Sequence, residues 1–486
     1  MYKIIQKISK ILILWKVKFC LCLSMIDNFV FYDTETSDRD PFFGQIFQLA
    51  AIRTDEHLSP VAEFDIRSKR LPHIVPSPNA LLVNGLDPNQ LDQAPFTNYQ
   101  FAGEVRRQLI KWSPAIISGY NIFGFDEKYL RSLFYQNLYP PYLSQTNGNS
   151  RIDILKLVQA AEYLHPDALT YPLNPKGKTS KKLEDVAPAN GFENHKAHDA
   201  LGDVEATIFV ANLVRTRAPI LWQAALDAKS RNEARTRAER TTVLFIHEQN
   251  YGHPITFPAA IIGTIHNGRD LLVADLRFDV KNDCELSNEK LFNGPTRLCR
   301  TVKLAETPLI FSIKEFQSMP CTYRWDENTL NARADKWSRL KDQTDIAELY
   351  SEQLTPFGEA EYPEQAMYEN FEAFNRDAQT MRSFHEANPV EKLELTNNFS
   401  DPRLRTFAKR IVYDNFCETL ETAEQSKFSQ AILHRLNRED NVPWVTISKA
   451  LKETVDLIEK RPDLEHELLS IRRFMNSLKF CLIPQE

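Results

Sequence analysis

Two carboxylates spaced two residues apart are the first side chains in the chain whose types suggest chemistry. Asp33 and Glu35 follow the apolar residues 29–31. A second apolar run over residues 46–52 comes after a polar turn, so the pattern predicts two adjacent strands joined by a loop. Residues two apart on a strand point to the same side, which puts both acids on one face. Carboxylates placed side by side repel unless a cation lies between them, and Mg²⁺ suits such ligands.

Three further candidates stand at predicted element boundaries. Asp126 lies between the apolar run 115–120 and a helical pattern, where it is either a helix cap or a third acid at the sheet edge. His198 and Asp203 lie five residues apart at the start of a strongly helical segment, so both can face the same edge. Each signal alone has an ordinary structural explanation, because an Asp-x-Glu triplet or a capping acid is common. Their combination predicts a site of four acids and one histidine.

The elements that position these residues read as alternating strands and helices. A third strand is predicted over residues 61–67, a helix over 98–111, another strand over 115–120 and a helix from Asp126 onward. The pattern after residue 216 is different, with short strands and an Asn-Gly hairpin signal at residues 267–268. We expect a bridging helix over 221–238, then a small β-barrel, and in the last part of the chain a series of helices that begins with one over 367–387.

Composition limits the remaining possibilities. A chain of 486 residues is too long for one compact core, and 43% apolar with 26% charged residues is ordinary for a soluble globular protein. The net charge of −6 means that any nucleic-acid site must be a local groove. The seven cysteines include no C-x-x-C pair, which argues against a disulfide framework or a cysteine zinc site and favours a cytoplasmic location. Residues 1–24 are lysine-rich and apolar but contain no long apolar run. We interpret them as a non-native or disordered extension, with a peripheral membrane helix as the alternative, and expect no stable membrane association.

Several longer stretches around the candidate residues are similar to the bacterial exonuclease I family, whose members are 3′→5′ exonucleases of the DEDDh type. These stretches are residues 31–35, 51–55, 119–126, 134–142, 149–151 and 198–203. The resemblance implies a multi-domain α/β fold with a ribonuclease-H-like mixed-sheet exonuclease domain, a small Src-homology-3-like β-barrel domain and an all-α C-terminal domain. With it we place the domain boundaries at 25–216, 217–358 and 359–486.

The resemblance also assigns roles to the candidate residues. It implies that Asp33, Glu35 and Asp203 hold divalent metal ions directly and that Asp126 completes a second position, while Glu35 also lies near the substrate. Two Mg²⁺ ions, for which Mn²⁺ can substitute, would support in-line hydrolysis of a phosphodiester. A histidine that titrates near neutral pH suits deprotonation of the attacking water, and this role goes to His198.

Contacts to DNA are expected from three further positions. Lys182 ends the lysine-rich loop 175–182 and occupies a position where the family usually has an arginine, so it keeps the charge but loses the bidentate fork. Arg131 and Tyr142 fall on substrate-contact positions, where phosphate pairing and base stacking are natural roles. A tryptophan of the family is missing at residues 144–147.

The predicted activity is degradation of single-stranded DNA from the 3′ end to 5′-mononucleotides, in DNA repair or recombination. The family implies a monomer whose accessory domains enclose the strand and which docks on the acidic C-terminal tail of single-stranded-DNA-binding protein. Two alternatives stay open. One is an RNA-trimming or proofreading exonuclease of the same superfamily, and the other is a catalytically silent single-stranded-DNA-binding adaptor.

Overall fold

The structure is a computed structural model, and the residues that it describes form eight ranges. They are 28–193, 199–250, 253–280, 288–294, 296–321, 323–343, 345–353 and 358–479. Two sequence-based predictions, the extension over residues 1–24 and the general base His198, lie outside the described residues. In the described ranges, no helix is both long enough and apolar enough to span a membrane.

A mixed five-stranded sheet organises the first part of the chain. Its strands are β1 (Phe29–Thr36), β2 (Ile46–Thr54), β3 (Pro60–Arg67), β4 (Ile116–Gly119) and β5 (Ser150–Asp153). Their order is β3-β2-β1-β4-β5, with antiparallel pairing from β1 to β3 and parallel pairing from β1 to β5. The mixed-sheet prediction is therefore confirmed, and the strand that carries the acid pair is central.

Helices lie between and after these strands. They are α1 (Pro78–Val83), α2 (Asn98–Trp112), α3 (Asp126–Gln136), α4 (Ile154–Leu164), α5 (Leu183–Ala189), α6 (Ala200–Arg217), α7 (Pro219–Leu226) and α8 (Arg231–Ala238). Both faces of the sheet are covered by helices of this set, whereas α1 and α8 pack on later parts of the chain. The residues of β1 alternate between two cores, as period-two side-chain geometry requires. Phe29 and Phe31 pack with α4 and α6, whereas Val30 and Tyr32 pack with α2 and α3. Burial on both faces fixes the register of β1 and hence the direction of its acids.

A second sheet follows, and all its pairings are antiparallel. Its strands are β6 (Leu244–Asn250), β7 (His253–Ile265), β8 (Asp270–Asp275), β9 (Cys299–Val302) and β10 (Leu309–Ser312), in the order β10-β6-β7-β8-β9. The Asn-Gly hairpin is confirmed, since His266, Asn267 and Gly268 all have positive φ between β7 and β8. In the described part of the chain the edge strands β9 and β10 do not pair with each other, so closure into a Src-homology-3-like barrel stays a prediction.

Helices around this sheet and in the C-terminal region complete the described fold. They are α9 (Asn288–Phe292), α10 (Ile313–Ser318), α11 (Glu327–Gln343), α12 (Ile346–Ser351), α13 (Phe371–Arg376), α14 (Ala378–Glu386), α15 (Pro389–Leu395), α16 (Pro402–Phe416), α17 (Thr422–Leu436), α18 (Ile447–Lys460) and α19 (Glu465–Ser477). The C-terminal helices pack directly on the first part of the chain, because Phe47 and Leu81 share a core with Ile447 and Phe474.

Two helices predicted as continuous are interrupted. The segment predicted over 221–238 is α7 followed by α8, and the segment predicted over 367–387 ends in α13 and α14, which meet at Asp377. The Asp377 carboxylate accepts hydrogen bonds from the backbone N–H groups of Ser400 and Asp401, at 3.0 and 2.8 Å. These long-range bonds fix a break that helical periodicity alone does not indicate.

Candidate active site

Three carboxylates from two elements converge beside the central strand. Asp33 and Glu35 project from the end of β1, and Asp203 lies in the first turn of α6. Each of the three offers an oxygen, and these oxygens all lie within 4.8 Å of one another. The strand and helix that the sequence pattern predicted thus bring these three acids together.

Asp126 is attached to the same strand through the residue between the two β1 acids. Its Oδ1 atom accepts hydrogen bonds from the backbone N–H of Thr34 at 3.1 Å and from the Thr34 hydroxyl at 2.6 Å. Asp126 is the first residue of α3, and the N-cap position is occupied by Phe125. The helix-cap interpretation of Asp126 is therefore not what the structure shows, because its carboxylate contacts the strand.

A short loop brings Asp126 to this position. The parallel pairing of β1 with β4 ends at Phe31, so β1 extends beyond its neighbour and leaves room beside the acids. At Gly119, where β4 ends, a Cβ atom would come within 2.5 Å of the Tyr32 carbonyl oxygen, so the close approach of the two strands requires glycine. The loop then turns through Asn121, which has a φ of 68°, and leads into α3.

Asp153 holds this loop, and the sequence reasoning missed it. Its buried carboxylate accepts hydrogen bonds from the backbone N–H groups of Asn121 and Phe123, at 2.9 and 3.1 Å. It also accepts one from Leu155, at 3.0 Å, as the N-cap of α4. The signal in the sequence was its place directly after a strand and before a helical pattern, which is the same signal that identified Asp126.

Burial and mutual repulsion alter the acidity of the cluster. Burial, followed by the charges of Asp203 and Asp126, raises the pKa of Glu35 to about 8. Burial is also the largest cause that raises the pKa of Asp126 to about 7, against the hydrogen bonds from Thr34. The pKa of Asp33 is raised for the same reasons.

Buried carboxylates that repel one another need a cation, and hard divalent ions prefer carboxylate oxygens. The charge of Arg67 lowers the Glu35 pKa, but the Arg67 guanidinium is itself paired with another carboxylate, 4.0 Å away on Asp199. The donor set of Asp33, Glu35 and Asp203 therefore fits a divalent metal ion, with Asp126 next to it.

One cleft is lined by an acid of this cluster, and a second is lined by the loop that leads to Asp126. One, of about 690 Å³, runs from Glu35 to Pro443 and Glu453, so the helical C-terminal region forms one of its walls. The other, of about 800 Å³, lies between the 121–124 loop and the second sheet. Basic side chains outnumber acidic ones in its lining, and the basic ones are Lys128, Lys156, Arg297, Arg300 and Lys303. These residues were not predicted, because they come together only through the packing of distant segments.

The predicted DNA-contact residues lie in different surroundings. The Arg131 guanidinium is 2.6 Å from the Glu127 carboxylate and lies over the Tyr142 ring, 5.0 Å from its centroid. Tyr142 also contacts Phe371 of the C-terminal region, with ring centroids 5.5 Å apart. Arg131 and Tyr142 are thus neighbours and are partly buried, and Glu127 further binds Arg151.

Lys182 lies at the start of α5 and is exposed. Its Nζ atom is 2.7 Å from the Glu184 carboxylate, and its side chain is 71% exposed. The Tyr120 hydroxyl donates a hydrogen bond to the backbone carbonyl of Lys181, which ties the lysine-rich loop to the end of β4. The loop therefore lies at the sheet edge from which the acids project.

Comparisons with known proteins agree with this arrangement. The model of a family described as exonuclease matches residues 30–211, and the model of the exonuclease I C-terminal domain matches residues 361–476. Exodeoxyribonuclease I of Buchnera aphidicola from Schizaphis graminum is 26% identical over 452 residues, which are 84% of this chain and 88% of the relative. Exodeoxyribonuclease I of Escherichia coli K12 is also 26% identical, over 82% of this chain and 88% of its own length.

Solved structures give the same result for the fold. Exonuclease I from Methylocaldum szegediense has a TM-score of 0.75 and 26% identity, with 93% of this chain and 100% of that chain covered. Escherichia coli exonuclease I in complex with a dA16 oligonucleotide has a TM-score of 0.79 at 22% identity, with 94% and 100% covered. The mixed sheet, the acid cluster and the first family match define a protein with a ribonuclease-H-like exonuclease domain. The C-terminal match and the curated relatives narrow this class further, because the chain is similar to exonuclease I over most of its length.

Proposed function

We propose that this chain is an exodeoxyribonuclease that hydrolyses single-stranded DNA in the 3′→5′ direction and releases 5′-mononucleotides. The convergence of Asp33, Glu35 and Asp203 within 4.8 Å, inside an exonuclease domain, carries this proposal. The curated relatives named exodeoxyribonuclease I and the solved complexes of exonuclease I with oligonucleotides support the choice of substrate.

The acids are proposed to hold Mg²⁺, with Mn²⁺ as a substitute. Asp33, Glu35 and Asp203 would bind directly, and Asp126 would complete a second position. When bound, two such ions neutralise the scissile phosphate and lower the cost of activating water and of releasing the 3′-oxygen. The chain's own contribution is rigid placement, since Thr34 fixes Asp126 and Asp153 fixes the loop before it.

The remaining catalytic and substrate-binding roles are also proposals. His198 would take the proton from the attacking water, because a neutral imidazole is a suitable base near pH 7. Lys182 would pair with a phosphate at the sheet edge, and Glu35 would lie beside the terminal nucleotide. Arg131 and Tyr142 would contact the strand farther along, where their mutual packing holds both groups in place.

The other two regions are proposed to enclose the strand. The basic cleft between the 121–124 loop and the second sheet suits a phosphate backbone, and Phe292 and Tyr350 in its lining suit base stacking. We further propose a monomer that acts in the cytoplasm in DNA repair and docks on the acidic tail of single-stranded-DNA-binding protein. The second sheet would be a Src-homology-3-like barrel, with domains over 25–216, 217–358 and 359–486.

One assay tests this function against both alternatives. The protein is incubated with 5′-end-labelled single-stranded DNA, duplex DNA and RNA, each with Mg²⁺ or with EDTA. We expect metal-dependent shortening of the single-stranded DNA from its 3′ end. Preferential trimming of RNA would support the first alternative, and binding of DNA without cleavage would support the silent adaptor.

A further inference from the structure

A separate cavity lies between two C-terminal helices. It has a volume of about 250 Å³ and lies between α16 and α17, with His73 from the segment before α1 on one side. Its lining shares no residue with the cleft at Glu35 or with the basic cleft. The proposed nuclease reaction gives it no role.

One wall of the cavity is a stacked aromatic pair. The rings of Tyr413 and Phe428 are 5.0 Å apart between centroids, at an angle of 25°. The Tyr413 hydroxyl is hydrogen bonded to the Ser429 hydroxyl at 2.9 Å, which limits rotation of that side chain. Both residues line the cavity, and an aromatic ring is an apolar group on which a planar heterocycle can stack.

The same cavity carries excess positive charge. Arg410 and Arg435 both bind one oxygen of the buried Glu364 carboxylate, at 2.7 and 3.4 Å, so two cations share a single anion. Lys409 adds a third cation to the lining. This imbalance favours a ligand with a negative group.

Two polar groups in the lining have unused hydrogen-bonding capacity. Among the described residues, neither the His73 imidazole nor the Asp414 carboxyl has a hydrogen-bond partner. Burial raises the pKa of Asp414 to about 7, and burial with the charges of Arg435 and Arg410 lowers the pKa of His73. Each group can therefore both donate and accept, as the edge of a nucleobase requires of its partners.

We propose that this cavity binds a nucleoside 5′-monophosphate. The base lies against the Tyr413–Phe428 surface with its polar edge toward His73 and Asp414, and the phosphate lies at Lys409. The prediction of nucleotide binding depends only on the residues of the cavity. That such a nucleotide is also the product of the enzyme rests on the proposed function.

Calorimetric titration of the full chain in EDTA tests the proposal without hydrolysis. The ligands are dAMP, dGMP, dCMP and dTMP, with deoxyribose 5-phosphate and inorganic phosphate as comparisons. We expect saturable nucleotide binding that Phe428→Ala weakens about 5- to 100-fold, through loss of stacking. Lys409→Gln should weaken it about 10-fold, through loss of a charged contact. Lys427→Gln, at an exposed position of α17, the helix that carries Phe428, should leave binding unchanged.

Several results would overturn the proposal. These are no nucleotide binding at millimolar concentration, equal binding of inorganic phosphate, or binding that survives both Phe428→Ala and Lys409→Gln. Binding of an acidic peptide in place of nucleotides would also overturn it. Asp414→Asn, which is isosteric, separates site effects from misfolding, since it should change the preference among the four bases while the melting temperature is retained. Because no cleavage is measured, failure here is distinct from failure of the nuclease assay.

Discussion

Repulsion within the acid cluster predicts that removing one carboxylate stabilises the metal-free protein. Glu35 is 6% exposed, and its pKa is raised from 4.5 to about 8 by burial and by Asp203 and Asp126. A carboxyl with a higher pKa in the folded chain binds its proton more tightly there. Stability therefore falls as the pH rises from 4.5 to about 8. At about 1.4 kcal/mol for each tenfold change in affinity for the proton, full ionisation costs up to roughly 5 kcal/mol.

Glu35→Gln keeps the side-chain shape and removes the charge. Because neighbouring acids share the repulsion, we expect about 1–3 kcal/mol of added stability at pH 8 in EDTA. Thermal unfolding should show a rise of roughly 2–4 °C for each kcal/mol. The gain should shrink at pH 5, where the folded protein already holds this proton. Glu63→Gln, an exposed acid on β3, is the matched control and should change nothing. An equal gain at both pH values, or a loss at pH 8, would refute the reasoning.

Three other substitutions test the site and the basic cleft. Asp203→Ala should reduce the rate of cleavage at least 1,000-fold, which is on the order of the effect of removing a group essential to transition-state stabilisation. Fluorescence anisotropy should still detect binding of single-stranded DNA. Loss of both cleavage and binding would indicate that Asp203 is needed for folding. Asp153→Ala should lower the free energy of unfolding by about 2–4 kcal/mol, because it leaves backbone N–H groups of the loop unpaired. The same substitution should lower kcat more than it raises KM. Asp153→Asn should have intermediate effects on stability and on kcat. Lys303→Glu should weaken binding of single-stranded DNA and make the affinity less dependent on salt, since about one released counterion is lost per phosphate contact. Lys427→Glu, outside the cleft, should change neither property. If Lys303→Glu changes thermal stability but not DNA binding, the assignment of the cleft to DNA is wrong.

Local spacing accounts for what could be predicted of the acid cluster. Asp33 and Glu35 share a face because strand geometry has a period of two, and Asp203 lies in the first turn of a helix that is rich in apolar residues. The role of Asp153 was not predicted, because its partners are backbone N–H groups about 30 residues away in the chain. No side-chain pattern records such contacts.

Other differences have the same physical origin. The break at Asp377 depends on backbone groups more than 20 residues away, so a window of helical periodicity could not show it. The basic cleft draws Lys128 and Lys156 from the first part of the chain and Lys303 from the segment that follows β9. In the sequence these are isolated charges, and only the packing of the two sheets makes them one surface.

The loop over residues 121–124 connects the two parts of the proposed mechanism. On one side it leads into Asp126, which is attached to β1 through Thr34. On the other side Asn121, Phe123 and Gly124 line the basic cleft, and the Lys156 ammonium lies 4.9 Å from the Phe123 ring centroid. In the proposed mechanism, a negatively charged strand in the cleft and a cation at the acids would both lie next to one short segment, which Asp153 holds. Because that segment has little freedom to move, filling of the cleft and placement of Asp126 are expected to depend on each other. Repulsion from the neighbouring acids would push the Asp126 carboxylate away from them. Its position is therefore maintained by the loop that Asp153 holds as much as by the hydrogen bonds from Thr34 on the sheet.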